Sequence, residues 1–93
     1  MNSFLDAPNA FTPNGDGTND GFQLIHKSLD ELIEYKIFNR WGQVVFESDD
    51  LNATWDGTFK GVDQEVGVYV VYVRAIGVYG DEFEFKKNLT LIR

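Results

Sequence analysis

The sequence predicts an all-β protein, an Ig-like antiparallel β-sandwich of about seven strands. Three observations carry this. Val, Ile, Phe, Tyr, Trp and Thr supply 33 of 93 residues, the side chains that fit a pleated, half-buried surface. Helix formers are scarce, and no apolar stripe at the helical period is long enough for a bundle. From Phe22 onward, short alternating runs are separated by turn signals at the spacing of a sandwich or barrel. Area scaling gives a folded surface of about 5,500 Å² against roughly 15,000 Å² unfolded. That buries one thin core, so residues 1–93 are read as a single domain.

The elements follow in order. Phe4–Ala7 reads as a short strand ended by Pro8. Residues 9–21, N-A-F-T-P-N-G-D-G-T-N-D-G, form a turn-rich loop, with Pro13 barring a helix at its head. Phe22–Ser28 places Phe22, Leu24 and His26 on one face. Asp30-Glu31-Leu32 is compatible with a single helical turn. Ile33–Asn39 then sets Ile33, Tyr35 and Ile37 inward. Arg40-Trp41-Gly42 makes a three-residue hairpin, with Gly42 where the backbone wants positive φ. Gln43–Ser48 returns with Val44 and Phe46 together, and Asp49–Ala53 turns. Thr54–Asp56 is a short strand stopped by Gly57, and Lys60–Val66 is loop.

Val68–Ile76 is the clearest strand. Tyr69, Val71, Val73 and Ala75 alternate with Val70, Tyr72 and Arg74, so the first set faces inward. Gly77–Asp81 turns, and Glu82–Ile92 closes the sheet with Phe83, Phe85, Leu89 and Leu91. A bulge is expected at Lys87-Asn88. The core expected from these alternations contains Ile37, Phe46, Tyr69, Val71, Val73, Phe83 and Leu89.

Charge and composition exclude several functions. A net charge of −7 has the wrong sign for a phosphate-backbone binder, so no nucleic acid is expected. It equally disfavours electrostatic docking on anionic lipid. With no cysteine there is no disulfide, thiol nucleophile or thiolate metal site. No apolar run reaches the length of a membrane helix, so direct membrane insertion is not expected. The opening M-N-S-F-L-D-A-P has no basic segment followed by a long apolar one, and is read as no signal peptide.

Catalysis is poorly supported, and the chain is read as no enzyme. His26 is the only histidine, which leaves no base–nucleophile–orienter set readable from the sequence. The metal-like feature is the run at 14–20. Asn14, Asp16, Thr18 and Asp20 alternate oxygen-bearing side chains as a calcium loop does, so Ca²⁺ is the one cofactor to consider. The match to an EF-hand is imperfect, because Asn19 stands where the turn glycine belongs. An Asx-turn loop closed by its own side chains is the other reading. Trp41, Trp55, Tyr72 and Tyr79 would make a sugar platform if gathered in one exposed patch, and core filling is the alternative.

Five segments carry a family resemblance. N-A-F-T-P-N-G-D-G-T-N-D-G-F at 9–22 resembles the opening signature of the gliding-motility-associated C-terminal domain, the type B sorting domain of the type IX secretion system in Bacteroidota. I-F-N-R-W-G-Q-V-V-F-E-S at 37–48, W-D-G-T-F-K-G at 55–61, G-V-Y-V-V-Y-V at 67–73 and N-L-T-L-I-R at 88–93 continue it in order. The residues carrying it are Phe11, Pro13, Asn14, Gly15, Asp16, Gly17, Asn19, Asp20, Asn39, Arg40, Trp41, Gly42, Trp55, Asp56, Gly57, Gly67 and Tyr69. Glu65-Val66 departs from the family's usual Pro-Ser type turn.

The resemblance implies a non-catalytic sorting domain of a large secreted or cell-surface protein, linked to gliding motility or adhesion. Its partners would be the type IX translocon and shuttle proteins, its location the extracellular face of the outer membrane, and its state a monomer. A sheet that runs to Arg93 fits a C-terminal position. The rival reading is a calcium-stabilised structural or carbohydrate-binding Ig-like module of a surface adhesin.

Overall fold

The structure, a computed structural model, describes residues 3–13 and 21–92. Those residues form nine strands and no helix: β1 (Phe4–Asp6), β2 (Ala10–Phe11), β3 (Ile25–Lys27), β4 (Leu29–Phe38), β5 (Val44–Glu47), β6 (Thr58–Phe59), β7 (Val62–Asp63), β8 (Gly67–Gly77) and β9 (Glu82–Leu91). One layer is a five-stranded sheet in the order β2-β9-β8-β4-β5. The run β9-β8-β4-β5 reproduces the G-F-C-C′ order of variable-type immunoglobulin sheets. The β1–β3 ribbon and a single bridge between Phe22 and Trp55 make the opposing layer. The expected Ig-like sandwich is therefore present, with more strands than expected, longer central strands β4 and β8, and one parallel pair.

That parallel pair explains how the layers are joined. β1 runs antiparallel to β3, and the chain then changes sheets at Ala7-Pro8-Asn9. Proline has no N–H to offer a ladder, so the crossing is a natural place for it. Ala10 and Phe11 then pair in parallel with Thr90 and Leu91. The Thr90 N–H donates to the Asn9 carbonyl at 2.8 Å and the Ile92 N–H to the Phe11 carbonyl at 3.0 Å. The loop expected over residues 9–21 thus begins with two strand residues. A second change of layer falls at Ser28, whose φ of 58° turns the chain from β3 into β4.

β8 and β9 pair without interruption from Gly67↔Leu91 to Ile76↔Glu82. Tyr69, Val71, Val73 and Ala75 face the core, as their alternation predicts. Leu89 and Leu91 are completely buried beside them, while Phe83 and Phe85 pack at the margin. The expected bulge at Lys87-Asn88 is absent. Phe83, Phe85, Lys87, Leu89 and Leu91 keep one parity, so Lys87 itself occupies the inward row. Its long stem lies along apolar surface while its ammonium reaches Asp6.

β4 departs more from expectation. Asp30-Glu31-Leu32 is strand, not a helical turn, with Glu31 opposite Ile76 and Leu32 opposite Ala75. The long β8 edge supplies backbone partners that a helical turn would forgo. Two register shifts absorb the surplus residues, between Leu29 and Glu31 and between Leu32 and Glu34. The second leaves Ile33 without a partner and 43% exposed, while Leu32 takes the inward position.

A further bulge at Ile37/Phe38 sets Phe46 opposite Ile37 and Val44 opposite Phe38. Val44 and Phe46 are therefore split between faces, and Val45 becomes the buried residue of β5. Lys60–Val66 is not all loop, since β6 and β7 form a hairpin through Lys60 and Gly61. Both carry positive φ, 54° and 80°, the geometry of a two-residue type I′ turn.

The core joins Leu5, Ala7, Phe22, Leu24 and Trp55 of one layer to Phe11, Tyr35, Ile37, Val71, Val73, Leu89 and Leu91 of the other. Each fully buried side chain of this size contributes about 1.5–3 kcal/mol. Tyr35 is completely buried. Burial pushes its phenol well above the ordinary tyrosine value. The accessible surface is 5601 Å², in line with area scaling for this mass.

Candidate functional site

Segments far apart in the sequence meet at one end of the sandwich. Gly67 at the start of β8 lies opposite Leu91 at the end of β9, and Phe38 lies opposite Val70. The β4–β5 hairpin, the approach to β8, the end of β9 and the exit from β2 therefore share one pole. Beneath it the Phe11 ring lies 5.4 Å from Trp55 and 6.2 Å from Phe22. Trp55 in turn lies 5.3 Å from Tyr69, ring edge to face. These aromatics come from three of the signature segments.

The polar atoms of this cluster are satisfied locally. The Trp55 indole N–H donates to the Thr58 carbonyl at 2.8 Å. Tyr69 donates its hydroxyl to the Glu65 carbonyl at 2.7 Å, the tyrosine-corner arrangement at the entry to the F-position strand. Asp56 accepts from the Thr58 N–H at 3.0 Å and from its hydroxyl at 2.7 Å, while Gly57 turns the chain with φ of 84°. The W-D-G-T run is thus an Asx turn that fixes the buried indole.

Asn39 organises the hairpin tip above them. Its Oδ1 accepts from the backbone N–H of Trp41 at 3.0 Å and of Gln43 at 2.9 Å, and its Nδ2 donates to Gln43 Oε1 at 3.1 Å. Its own N–H donates to the Gln43 carbonyl at 2.9 Å, and Gly42, with φ of 81°, donates to the Asn39 carbonyl at 3.0 Å. This is the three-residue hairpin the sequence predicts. Its tip presents Trp41, 71% exposed, with the Arg40 guanidinium 4.4 Å from the ring centroid. Arg40 also lies 3.7 Å from the Glu65 carboxylate.

The structure separates the four residues of the candidate sugar platform. Trp55 is buried, and Tyr72 lies on the outer sheet face with its hydroxyl 2.7 Å from Glu84 Oε2. That hydrogen bond raises the Tyr72 phenol above its ordinary value. Tyr79 is exposed in the turn after β8, at the far end of that strand from Trp41. His26 pairs through Nε2 with Asn52 Oδ1 at 3.1 Å. The expected cation ligands Asn14, Asp16, Thr18 and Asp20 lie outside the described residues, as do Gly15, Gly17, Asn19 and Arg93.

Sequence reasoning missed Glu65, which receives the Tyr69 hydroxyl on its carbonyl and faces Arg40 with its carboxylate. It also gave Val66 and Val68 no part in a surface, though the V-G-V-Y alternation already put Val68 on the outer face. Both valines are exposed beside Trp41, lining the same shallow cleft.

A small Ig-like sandwich whose described signature residues converge on one pole defines a compact β-sandwich module. The chain matches the family model of the CHU_C type IX secretion signal domain over residues 5–90, and it belongs to that family. Among solved structures it is similar to CopC from Methylosinus trichosporium OB3b, at 21% identity and a TM-score of 0.60. That likeness covers 97% of this chain and 93% of the other, and it concerns the fold. No curated protein matches the chain.

Proposed function

We propose that residues 1–93 are a non-catalytic address label that directs its parent protein through the type IX system to the outer face of the outer membrane. Family membership makes the chain a sorting-signal domain, and the protein that carries it a secreted or cell-surface protein. The observation that carries the reading is the family match over residues 5–90, nearly the whole chain.

The finer proposal is that the domain is read, as a folded monomer, by shuttle proteins and the translocon, and that its cargo serves adhesion or gliding motility. Two features support recognition of a folded surface: the described signature residues Phe11, Asn39, Trp41, Trp55 and Tyr69 are brought to one pole by the tertiary fold, and the hairpin that displays Trp41 is closed by hydrogen bonds. The Asn14, Asp16, Thr18 and Asp20 run is proposed to take Ca²⁺, on the strength of its alternating oxygen donors.

The test is to fuse residues 1–93 to a periplasmic reporter in a type IX-competent bacterium and in a strain lacking the translocon. Reporter in the medium or on the surface of the first strain alone supports the reading. Retention in both strains overturns it.

A further inference from the structure

Among the described signature residues, most of those with a clear contact serve the fold. Phe11, Trp55 and Tyr69 fill the core, Asn39 and Gly42 build the hairpin, and Asp56 and Gly57 make the turn behind Trp55. Trp41 and its neighbour Arg40 differ, both standing in solvent at the hairpin tip. Five hydrogen bonds centred on Asn39 hold the loop in place, yet the loop holds a tryptophan side chain out in solvent, 71% exposed. The hairpin would close as well on a polar residue, since the contact Asn39 makes at this position is to the Trp41 backbone N–H.

Its surroundings extend the apolar surface. Val66 and Val68, 58% and 53% exposed, line the cleft beside the indole, and Ile92, 45% exposed, follows the residue paired with Gly67 at the same pole. Arg40 stacks on the ring and is itself exposed. An exposed Trp–Arg pair flanked by two exposed valines has the side-chain types that carry binding energy at protein interfaces. Because the loop is already fixed, little conformational freedom is lost on docking.

We propose that Trp41 is the anchor by which the domain docks on a protein of the export machinery, its indole entering an apolar slot. The proposal rests on the sorting-signal reading and adds which surface is read. Charge decides the occupant. At −7 the domain is repelled by anionic lipid, so a protein slot is favoured over a membrane surface.

The experiment compares reporter fusions of the unsubstituted domain, Trp41→Ala, Trp41→Gln, Trp41→Phe and, at the opposite pole, Tyr79→Ala. Export is expected to fall about tenfold or more for Ala and Gln, to recover partly for Phe, and to stay unchanged for Tyr79→Ala. Melting temperatures of the purified domains should agree within about 2 °C, because the side chain leaves solvent for no internal partner. Unfused domain in excess should compete with the fusion for export, and its Trp41→Ala form should not.

Normal export of Trp41→Ala overturns the docking surface and leaves the sorting reading standing. Failure of the unsubstituted fusion overturns the sorting reading and the proposal with it. Loss of fold in both Ala and Gln variants makes Trp41 structural and overturns the proposal. A blue shift of indole emission on phosphatidylethanolamine–phosphatidylglycerol vesicles makes the occupant a lipid surface, and so overturns it too.

Discussion

The Lys87 ammonium lies 2.8 Å from Asp6 Oδ1 and 3.0 Å from the Ala7 carbonyl oxygen, so the cation on the inward row of β9 clamps the chain where it passes between layers. The hydrogen bond from Lys87, with a smaller contribution from the Ala7 N–H, holds the Asp6 carboxyl below its ordinary 3.8. A lowered folded-state value stabilises the protein above 3.8, and that contribution disappears as pH falls through the lower folded value. Both side chains are partly exposed, so solvent limits the pair to about 0.2–1 kcal/mol. Urea denaturation should therefore separate the parent from Lys87→Met at pH 7. The part of the gap due to the charge pair should close as Asp6 protonates in acid. A gap independent of pH would assign the effect to packing.

Asn39 is expected to matter more than its place in a surface hairpin suggests. Asn39→Ala removes three side-chain hydrogen bonds and should cost about 1–3 kcal/mol. Gly42→Ala meets no steric obstacle but must hold φ at 81°, and should cost about 1 kcal/mol. Chemical denaturation of each variant measures both.

In the core, Val71→Ala opens a void among fully buried neighbours and should cost about 2–4 kcal/mol. Tyr69→Phe keeps the ring against Trp55 and loses the hydroxyl bond to Glu65, so about 1 kcal/mol is expected. A Val71→Ala protein as stable as its parent would mean that the inward face of β8 is wrongly assigned.

Removing residues 89–93 should unfold the domain and abolish export together. Leu89 and Leu91 are fully buried, and Ala10–Phe11 would lose its pairing partner. The two leucines contribute about 3–6 kcal/mol, comparable with the whole stability of a domain this size. Residues 82–93 alone, appended to a reporter, should not export it. Export by that peptide would make the signal linear.

Calorimetric titration of metal-stripped protein tests the proposed cation loop. Heat uptake or release on adding Ca²⁺, with a rise in melting temperature at millimolar concentration, is the expected result. Neither effect would leave a loop closed by its own Asx turns.

Much of the fold was legible because strand faces are a local property. Two-residue alternation alone determines that Tyr69, Val71 and Val73 point one way and Val70, Tyr72 and Arg74 the other. The Arg40-Trp41-Gly42 tip is equally local, since a positive φ at its third residue calls for glycine. Pairing is not local, and there the sequence was silent. Only the tertiary structure turned Asp30–Leu32 into strand, because the waiting partner was Ala75-Ile76, some forty residues on. It likewise split Val44 from Phe46 and carried Ala10–Phe11 across to β9. The site divides the same way: the signature residues are written in the sequence, but nothing local tells Trp55 from Trp41. One indole is sealed under Phe11 and Tyr69 and the other stands in solvent, because burial is decided by what the other layer brings against each.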